Sequence, residues 1–158
     1  MSMLKSLPVE WEQVGKKHTP LQRKGDFSDL IVFANIRNPF DRIVSMYEYR
    51  RQATQETRFK NIDFQDFFYN HYLGKDLMPY NPIHYFLFVD NELPENVIPI
   101  RLEDIDIWGD IISTYFQRKI RVPHINFTEH GNPERYFNGK MKTLVRSKEW
   151  WAVEQYTK

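Results

Sequence analysis

The sequence predicts an α/β protein with a parallel sheet, because short apolar strands alternate with helical segments along the chain. Two observations support this fold class. The run from Leu30 to Phe33 is apolar without alternation, as in a buried strand, and a helical pattern follows it. A second strand-like run, over residues 97–102, is also followed by a helical pattern. We find no repeat and no linker, so we expect one domain over residues 1–158, with an irregular segment over 1–28.

The first strand is predicted over residues 29–36, and a helix should follow it directly. Asn38 and Pro39 together are a helix-start signal, with Asn38 as the cap and Pro39 at the first helical position. We expect this helix to run to about Gln52. Its apolar face should consist of Ile43, Val44 and Tyr47, with Arg51 at its end.

The middle of the chain predicts a second helix and a second strand. Asp63 should cap a helix whose buried stripe is formed by Phe64, Phe67, Phe68 and Tyr72. Residues 84–89 fit either a strand or a helix end. The second strand, over residues 97–102, contains Pro99, which predicts an edge strand or a bulge.

The last third of the chain is predicted to be mostly helical. We expect a helix over residues 104–119, an irregular stretch over 122–136 and a final helix over 140–156. The side chains expected to point inward from the first of these helices are Ile107, Ile111, Ile112, Tyr115 and Phe116.

The composition excludes several classes of protein and of site. The chain has 22 basic and 21 acidic residues, a balance that gives no reason to expect a nucleic-acid partner. The absence of cysteine excludes disulfides, thiolate nucleophiles and cysteine zinc sites, and is typical of a reducing compartment. No stretch has the ~20 apolar residues of a membrane span, and the N-terminus lacks a secretory signal pattern. We therefore expect a cytoplasmic protein with no transmembrane segment. Because no histidine spacing fits a metal motif, we also expect no metal.

Arg37 and Ser45 form a candidate phosphate site. A helix that begins at the end of a strand presents N–H groups and a partial positive charge, which suit a phosphate. Arg37 adds a planar cationic donor there, and Ser45 follows eight residues later within the predicted helix. Arg42, Arg50 and Arg51 should add positive charge nearby. In the structural alternative, Arg37 pairs with Asp41 and Ser45 is a small residue at a helix crossing.

The segment FANIRNPFDRIVSMYEYRR resembles the 3′-phosphate-binding segment of the sulfotransferases, most closely the carbohydrate and membrane-type branch. That family has an aromatic strand, then Arg-Asn-Pro-aromatic-Asp-Arg, then a serine eight residues after the first arginine. The resemblance implies a P-loop-like sulfotransferase fold, here abbreviated and helix-rich. It also implies that Arg37 and Ser45 bind the 3′-phosphate of 3′-phosphoadenylyl sulfate. The implied reaction transfers a sulfuryl group to a hydroxyl or amine, with a carbohydrate as the expected acceptor.

The resemblance continues more weakly downstream. VIPIRLEDI is similar to a family strand that ends in glutamate and an apolar residue, and KEWWAVEQY is similar to the family's closing helix. VPHINFTEHGNPERYF is similar to a family loop. The matching positions in these segments are Arg101, Glu103, Ile105, Pro123, Asn126 and Thr128.

One family element is missing from the sequence. The family opens with a strand and a loop of the type Pro-Lys-x-Gly-x-Ser/Thr, which holds the 5′-phosphosulfate. The nearest string, residues 15–19, has no apolar strand before it, and Lys16 and Lys17 fit a solvated basic loop. The chain is therefore expected to be either a truncated piece or a shortened relative whose 5′ site is lost or supplied elsewhere. The alternative function is a catalytically inactive nucleotide-binding or scaffolding relative that keeps only the 3′-phosphate site.

Sulfuryl transfer to a hydroxyl also needs a general base. The sequence offers His84, His124 and Glu103 as candidates. For each histidine the alternative is a core or rim residue, and Glu103 could instead anchor a loop. The pair Trp150 and Trp151 fits helix packing, with sugar stacking as the alternative.

Overall fold

The computed structural model describes residues 19–53, 60–74, 80–117, 119 and 131–157. In these ranges the protein is helix-rich and contains a small two-stranded parallel sheet, which confirms a broad α/β class. The strands are β1 (Val32–Ile36) and β2 (Val97–Arg101), and the α-helices are α1 (Pro39–Ala53), α2 (Phe64–Phe67), α3 (Ile83–Leu87), α4 (Ile105–Phe116), α5 (Gly139–Lys148) and α6 (Trp150–Thr157). A π-helical turn (Phe68–Tyr72) continues α2, and short 3-10 turns cover Leu21–Arg23, Leu102–Asp104 and Pro133–Arg135.

The sheet brings two chain turns to one edge. β1 and β2 run parallel, with Val32 opposite Val97 and Ile36 opposite Arg101. Because parallel strands need a crossover connection, the chain passes through α1, α2 and α3 before it returns to β2. The turn after β1 and the 3-10 turn after β2 therefore lie side by side at the carboxyl edge of the sheet.

Pro99 fits this sheet as an edge-strand proline. β2 pairs with β1 in the described two-stranded sheet, so one side of β2 is an edge. The Val32 N–H donates to the Asn96 carbonyl at 2.9 Å. Along a parallel strand, the backbone N–H and C=O groups of every second residue point towards the same neighbouring strand. Pro99 consequently faces away from β1, and its missing N–H removes no bond of the ladder.

The start of α1 agrees with the prediction. The Asn38 side-chain oxygen accepts the Phe40 N–H at 3.0 Å, and the Asn38 carbonyl accepts the Arg42 N–H at 2.9 Å. Asn38 is therefore the cap, and Pro39 takes the first helical position, where its missing N–H costs nothing.

The larger core lies between α1, α2, the π-helical turn and α5. Asp63 caps α2 as predicted, since its carboxylate accepts the Asp66 N–H at 2.8 Å. The predicted stripe is buried, apart from Phe64, which is partly buried. The buried members of this cluster are Ile43, Val44, Tyr47, Phe67, Phe68, Tyr72, Tyr80, Phe137, Met141 and Val145.

A smaller cluster packs the sheet against α3 and α6. It contains Leu21, Ile36, Leu87, Val97, Trp151 and Ala152. Residues 84–89, predicted as either a strand or a helix end, contain both kinds of structure. The helix α3 ends at Leu87, and Val89 makes an isolated β-bridge with Glu92.

Two predictions of burial were wrong. The first strand begins at Val32, and Leu30 and Ile31 before it are 43% and 50% exposed, because the described sheet has no further strand to cover them. On α4, Ile112 is buried, whereas Ile107 and Tyr115 are about half exposed. The helix contacts Phe33 through the rings of Tyr115 and Phe116, so a narrower stripe than predicted faces the protein.

The predicted final helix is two helices. α5 ends at Lys148 and α6 begins at Trp150, because Glu149 leaves helical geometry between them. Residues 1–18 of the predicted irregular N-terminal segment lie outside the described residues, as does the stretch 122–130. In the described part of the chain, no helix is both long enough and apolar enough to cross a membrane.

Candidate functional site

The predicted phosphate-binding residues sit around the start of α1. Arg37 directly follows the last residue of β1, and Ser45 lies in the second turn of α1; both are partly exposed. Asp41 and Ser45 are four residues apart on α1 and so share a face of the helix. Arg37 and Asp41 each interact with other groups of the protein, which leaves an ion pair between them open as the structural alternative.

Glu103, in the 3-10 turn after β2, connects this turn to the turn after β1. Its carboxylate accepts the backbone N–H of Asn38 at 3.0 Å and a hydrogen bond from the Tyr156 hydroxyl on the other oxygen. The same hydroxyl lies 3.4 Å from the Ile36 carbonyl oxygen. Since both carboxylate oxygens accept hydrogen bonds within the protein, the geometry favours the loop-anchoring role of Glu103 over a general base.

Tyr156 is held at the carboxyl edge of the sheet by Arg101, which contacts its ring, and by Glu103, which accepts from its hydroxyl. The Arg101 guanidinium lies 4.9 Å from the Tyr156 ring centroid and donates to the Gln155 carbonyl. Burial, followed by the hydrogen bond to Glu103, raises the pKa of Tyr156, so its hydroxyl stays protonated and continues to donate. The last helix is thus attached to the carboxyl ends of both strands.

Arg42 does not add free positive charge to the phosphate site, which corrects the prediction for this residue. Its guanidinium pairs with the fully buried Glu149 and donates to the Asn81 carbonyl at 3.2 Å. Glu149 also accepts from the Tyr72 hydroxyl at 2.7 Å and the Ile83 N–H at 3.4 Å. The arginine charge is therefore neutralised inside the protein.

Arg51 is neutralised in the same way. Its guanidinium contacts the Glu48 carboxylate at 2.9 Å and 3.2 Å. Glu48 is buried and also accepts from Gln52 at 3.0 Å and from the Tyr136 hydroxyl at 3.1 Å. This cluster joins α1 to the turn before α5, and it leaves Arg51 occupied.

A cavity of about 630 Å³ lies beside β1 and α1. From α1 it is lined by residues that include Arg42, Met46 and Arg50, and Lys24 adds a further cation. Neither Arg37 nor Ser45 lines it. The structure therefore does not place the predicted phosphate-binding residues in this cavity.

His84 lies on α3 beside two aromatic rings. Its ring centroid is 5.4 Å from that of Trp150 and 5.7 Å from that of Phe88. Burial lowers the pKa of His84, and the nearby Glu149 opposes this shift. Its buried Nδ1 atom has no hydrogen-bond partner among the residues that the structure describes. His84 thus fits the aromatic-rim alternative.

The remaining candidates lie outside the described residues: Lys16, Lys17, Pro123, His124, Asn126 and Thr128. Trp151 is buried as predicted for helix packing, whereas Trp150 is 44% exposed. In the described ranges, no three histidine, aspartate or glutamate side chains are grouped so that they could hold a metal ion.

Sequence reasoning missed Glu149 and Tyr156. Glu149 carried a usable signal, because Met141, Val145 and Glu149 are spaced four apart and place an acid on the buried stripe of a helix. An acid at such a position needs a buried partner. Tyr156 carried no comparable signal, since its partners lie far away in the sequence.

No family model, no curated protein and no solved structure matches the chain.

Proposed function

We propose that the chain is a sulfotransferase-like protein in which Arg37 and Ser45 bind the 3′-phosphate of 3′-phosphoadenylyl sulfate. The observation that carries the proposal is the strand-turn-helix unit itself. Arg37 stands at the carboxyl end of a parallel strand, and Ser45 lies on the helix that begins two residues after Arg37. The ordered elements of the motif (Arg37 to Arg42, then Ser45) are those of the sulfotransferase segment that it resembles.

The backbone at the start of α1 contributes less to this site than a bare helix terminus would. The Asn38 N–H already donates to Glu103, and the Phe40 N–H donates to the Asn38 side chain. Pro39 has no N–H to offer. Most of the affinity for phosphate is therefore expected from the Arg37 guanidinium and the Ser45 hydroxyl.

In the proposed reaction, a hydroxyl or amine of the acceptor, expected to be a carbohydrate, attacks the sulfur of the donor. The bond from sulfur to the 5′-phosphate oxygen breaks, adenosine 3′,5′-bisphosphate leaves, and the acceptor proton passes to a base. A second candidate function is nucleotide binding without catalysis. It is favoured by one observation: the sequence contains no loop of the type Pro-Lys-x-Gly-x-Ser/Thr to hold the 5′-phosphosulfate.

The test is a calorimetric comparison of two nucleotides. We expect adenosine 3′,5′-bisphosphate to bind more tightly than adenosine 5′-phosphate. Arg37→Ala should remove a charge-assisted contact of ~1.5–3 kcal/mol, which is roughly a ten- to hundredfold loss of affinity for the bisphosphate. Ser45→Ala should cause a smaller loss, because a neutral hydrogen bond is worth about 1 kcal/mol.

The control is Arg146→Ala, which removes an exposed arginine on α5 and should leave both affinities unchanged. Equal binding of the two nucleotides by the wild type, or binding of neither, would contradict the proposal. Unfolding of the Arg37→Ala variant, together with no effect of nucleotide on the wild-type melting temperature, would instead support a structural Arg37–Asp41 pair.

An activity assay distinguishes the two candidate functions. With radiolabelled donor and a panel of glycans, we expect very slow transfer or none. The reason is that the loss of a single donor to the developing charge costs ~10²–10³ in rate, and the loop supplies several such donors. Robust turnover by these residues alone would favour the enzyme over the binding protein, and would show that another segment performs the role of the loop.

A further inference from the structure

We propose that Glu103 and Tyr156 are positioning residues for the turn that carries Arg37. Building on the proposed function, they would determine where the guanidinium meets the 3′-phosphate. Neither residue needs to contact the nucleotide. They would act by holding the backbone between β1 and α1 from two other parts of the chain.

The backbone on both sides of Arg37 is in contact with side chains from other parts of the chain. Ile36 precedes Arg37, and its carbonyl oxygen lies 3.4 Å from the Tyr156 hydroxyl. Asn38 follows Arg37, and its N–H donates to Glu103 at 3.0 Å. The peptide after Arg37 is thus hydrogen-bonded to a side chain from outside the turn, and the peptide before it is in contact with a second such side chain.

Glu103 and Tyr156 are themselves joined by a hydrogen bond. The Tyr156 hydroxyl donates to Glu103, so one hydrogen-bonded chain runs from Asn38 through Glu103 and Tyr156 towards Ile36. The Arg101 guanidinium packs on the Tyr156 ring and donates to the neighbouring Gln155 carbonyl, which restricts the ring on α6. Linked hydrogen bonds of this kind fix a geometry more tightly than isolated ones do.

The charge of Glu103 also bears on phosphate binding. The carboxylate contacts the backbone N–H of Asn38, the residue after Arg37, and a carboxylate and a phosphate repel each other. A carboxylate that served only as a charge would weaken phosphate binding. If Glu103 instead positions the turn, its loss would let the turn move and would weaken the preference for the 3′-phosphate. Removal of the carboxylate should therefore strengthen phosphate binding if Glu103 acts only as a charge, and weaken the preference for the 3′-phosphate if Glu103 positions the turn.

The experiment uses the full 158-residue chain and measures the affinities for adenosine 3′,5′-bisphosphate and adenosine 5′-phosphate. Their ratio is the readout, because a merely structural loss would change both affinities together. Tyr156→Phe keeps the ring on Arg101 and removes only the hydroxyl, so the fold should survive. We expect about a threefold to tenfold drop in the ratio for Tyr156→Phe, and a similar or larger drop for Glu103→Ala.

Glu103→Gln is the rescue variant. Its amide oxygen can still accept the Asn38 N–H, and its amide nitrogen can bond to the Tyr156 oxygen. The affinity ratio should therefore stay within about twofold of wild type, because a twofold change corresponds to a smaller free energy than the loss of one hydrogen bond. Matched controls are Tyr85→Phe and Glu95→Gln, which alter exposed residues and should leave the ratio unchanged.

An unchanged ratio in both Tyr156→Phe and Glu103→Ala would overturn the positioning role while leaving the proposed function in place. A rise in bisphosphate affinity in Glu103→Ala would also overturn it, since the carboxylate would then act as a competing charge. If the wild type shows no preference between the nucleotides, the proposed function fails, and hydrogen exchange of the Asn38 amide decides the positioning role. In that case, exchange at least about tenfold faster in Glu103→Ala would support it, whereas unchanged exchange would overturn it.

Discussion

The substitution Glu149→Ala should destabilise the protein strongly. Glu149 is fully buried and accepts hydrogen bonds from Arg42, the Tyr72 hydroxyl and the Ile83 N–H. Its loss leaves the Arg42 guanidinium, whose side chain is only 18% exposed, without its ion partner. Removing one partner of a buried ion pair costs ~3–5 kcal/mol. The same substitution leaves the Tyr72 hydroxyl, which belongs to a fully buried side chain, without its acceptor. The cost of this lost hydrogen bond is included in the upper part of that range.

The magnitude can be compared with the stability of a domain of this size. A loss of about 4 kcal/mol is a large fraction of the usual ~5–15 kcal/mol. At ~2–4 °C per kcal/mol for a chain of this length, it corresponds to a drop in Tm of about 8–16 °C. The assay is urea unfolding followed by circular dichroism, with a thermal scan as a second measurement.

The control is the exposed pair formed by Lys142 and Glu134, whose acid is 65% exposed. Glu134→Ala should cost no more than ~1 kcal/mol, as for other surface pairs. The double variant Arg42→Met with Glu149→Leu should be more stable than Glu149→Ala, because it leaves no buried charge unpaired. A cost below about 1 kcal/mol for Glu149→Ala, or a double variant that is the least stable of the set, would contradict this prediction.

Two further predictions concern local stability. Asn38→Ala should cost about 1 kcal/mol in the free energy of unfolding, because the Phe40 N–H loses its cap; a chemical-denaturation curve that coincides with wild type would contradict this. Burial lowers the pKa of His84, so below about pH 6.5 the unfolded chain binds a proton before the folded protein does. Stability should therefore fall as the pH drops below that value and be independent of His84 above it. His84→Gln should reduce the fall in unfolding experiments at several pH values, whereas the same pH dependence in both proteins would show that His84 does not cause it.

The sequence was most informative where the determining contacts are local. The cap by Asn38, the proline after it and the cap by Asp63 each depend on residues within three positions, and the structure has all of them. The aromatic stripe of α2 followed from the same short-range periodicity. These signals were enough to locate the strand-turn-helix unit that carries Arg37 and Ser45.

Long-range contacts explain the predictions that failed. Glu149, the residue between α5 and α6, pairs with Arg42, 107 residues earlier, and helical periodicity cannot reveal such a distant partner. The exposure of Ile107 and Tyr115 depends on how much of α4 meets the sheet, which the sequence of the helix does not encode by itself. Similarly, Arg42 and Arg51 were predicted to add free positive charge. In the structure Arg42 pairs with the buried Glu149, and Arg51 pairs with the buried Glu48.

The attachment of Tyr156 beside Ile36 also affects the order of events during synthesis. The two residues are 120 positions apart, so a ribosome adding about 5–20 residues per second needs on the order of 10 s to travel from one to the other. During that interval Arg37 is present on the emerging chain, but the helix that should hold its turn does not yet exist. Contacts of such long sequence separation also form late in folding, because a large loop must close first. The turn that carries Arg37 would therefore reach its final geometry only near the completion of α6. Under the proposed function, a growing chain would then acquire its affinity for the nucleotide at that late point, rather than gradually as the first helix forms.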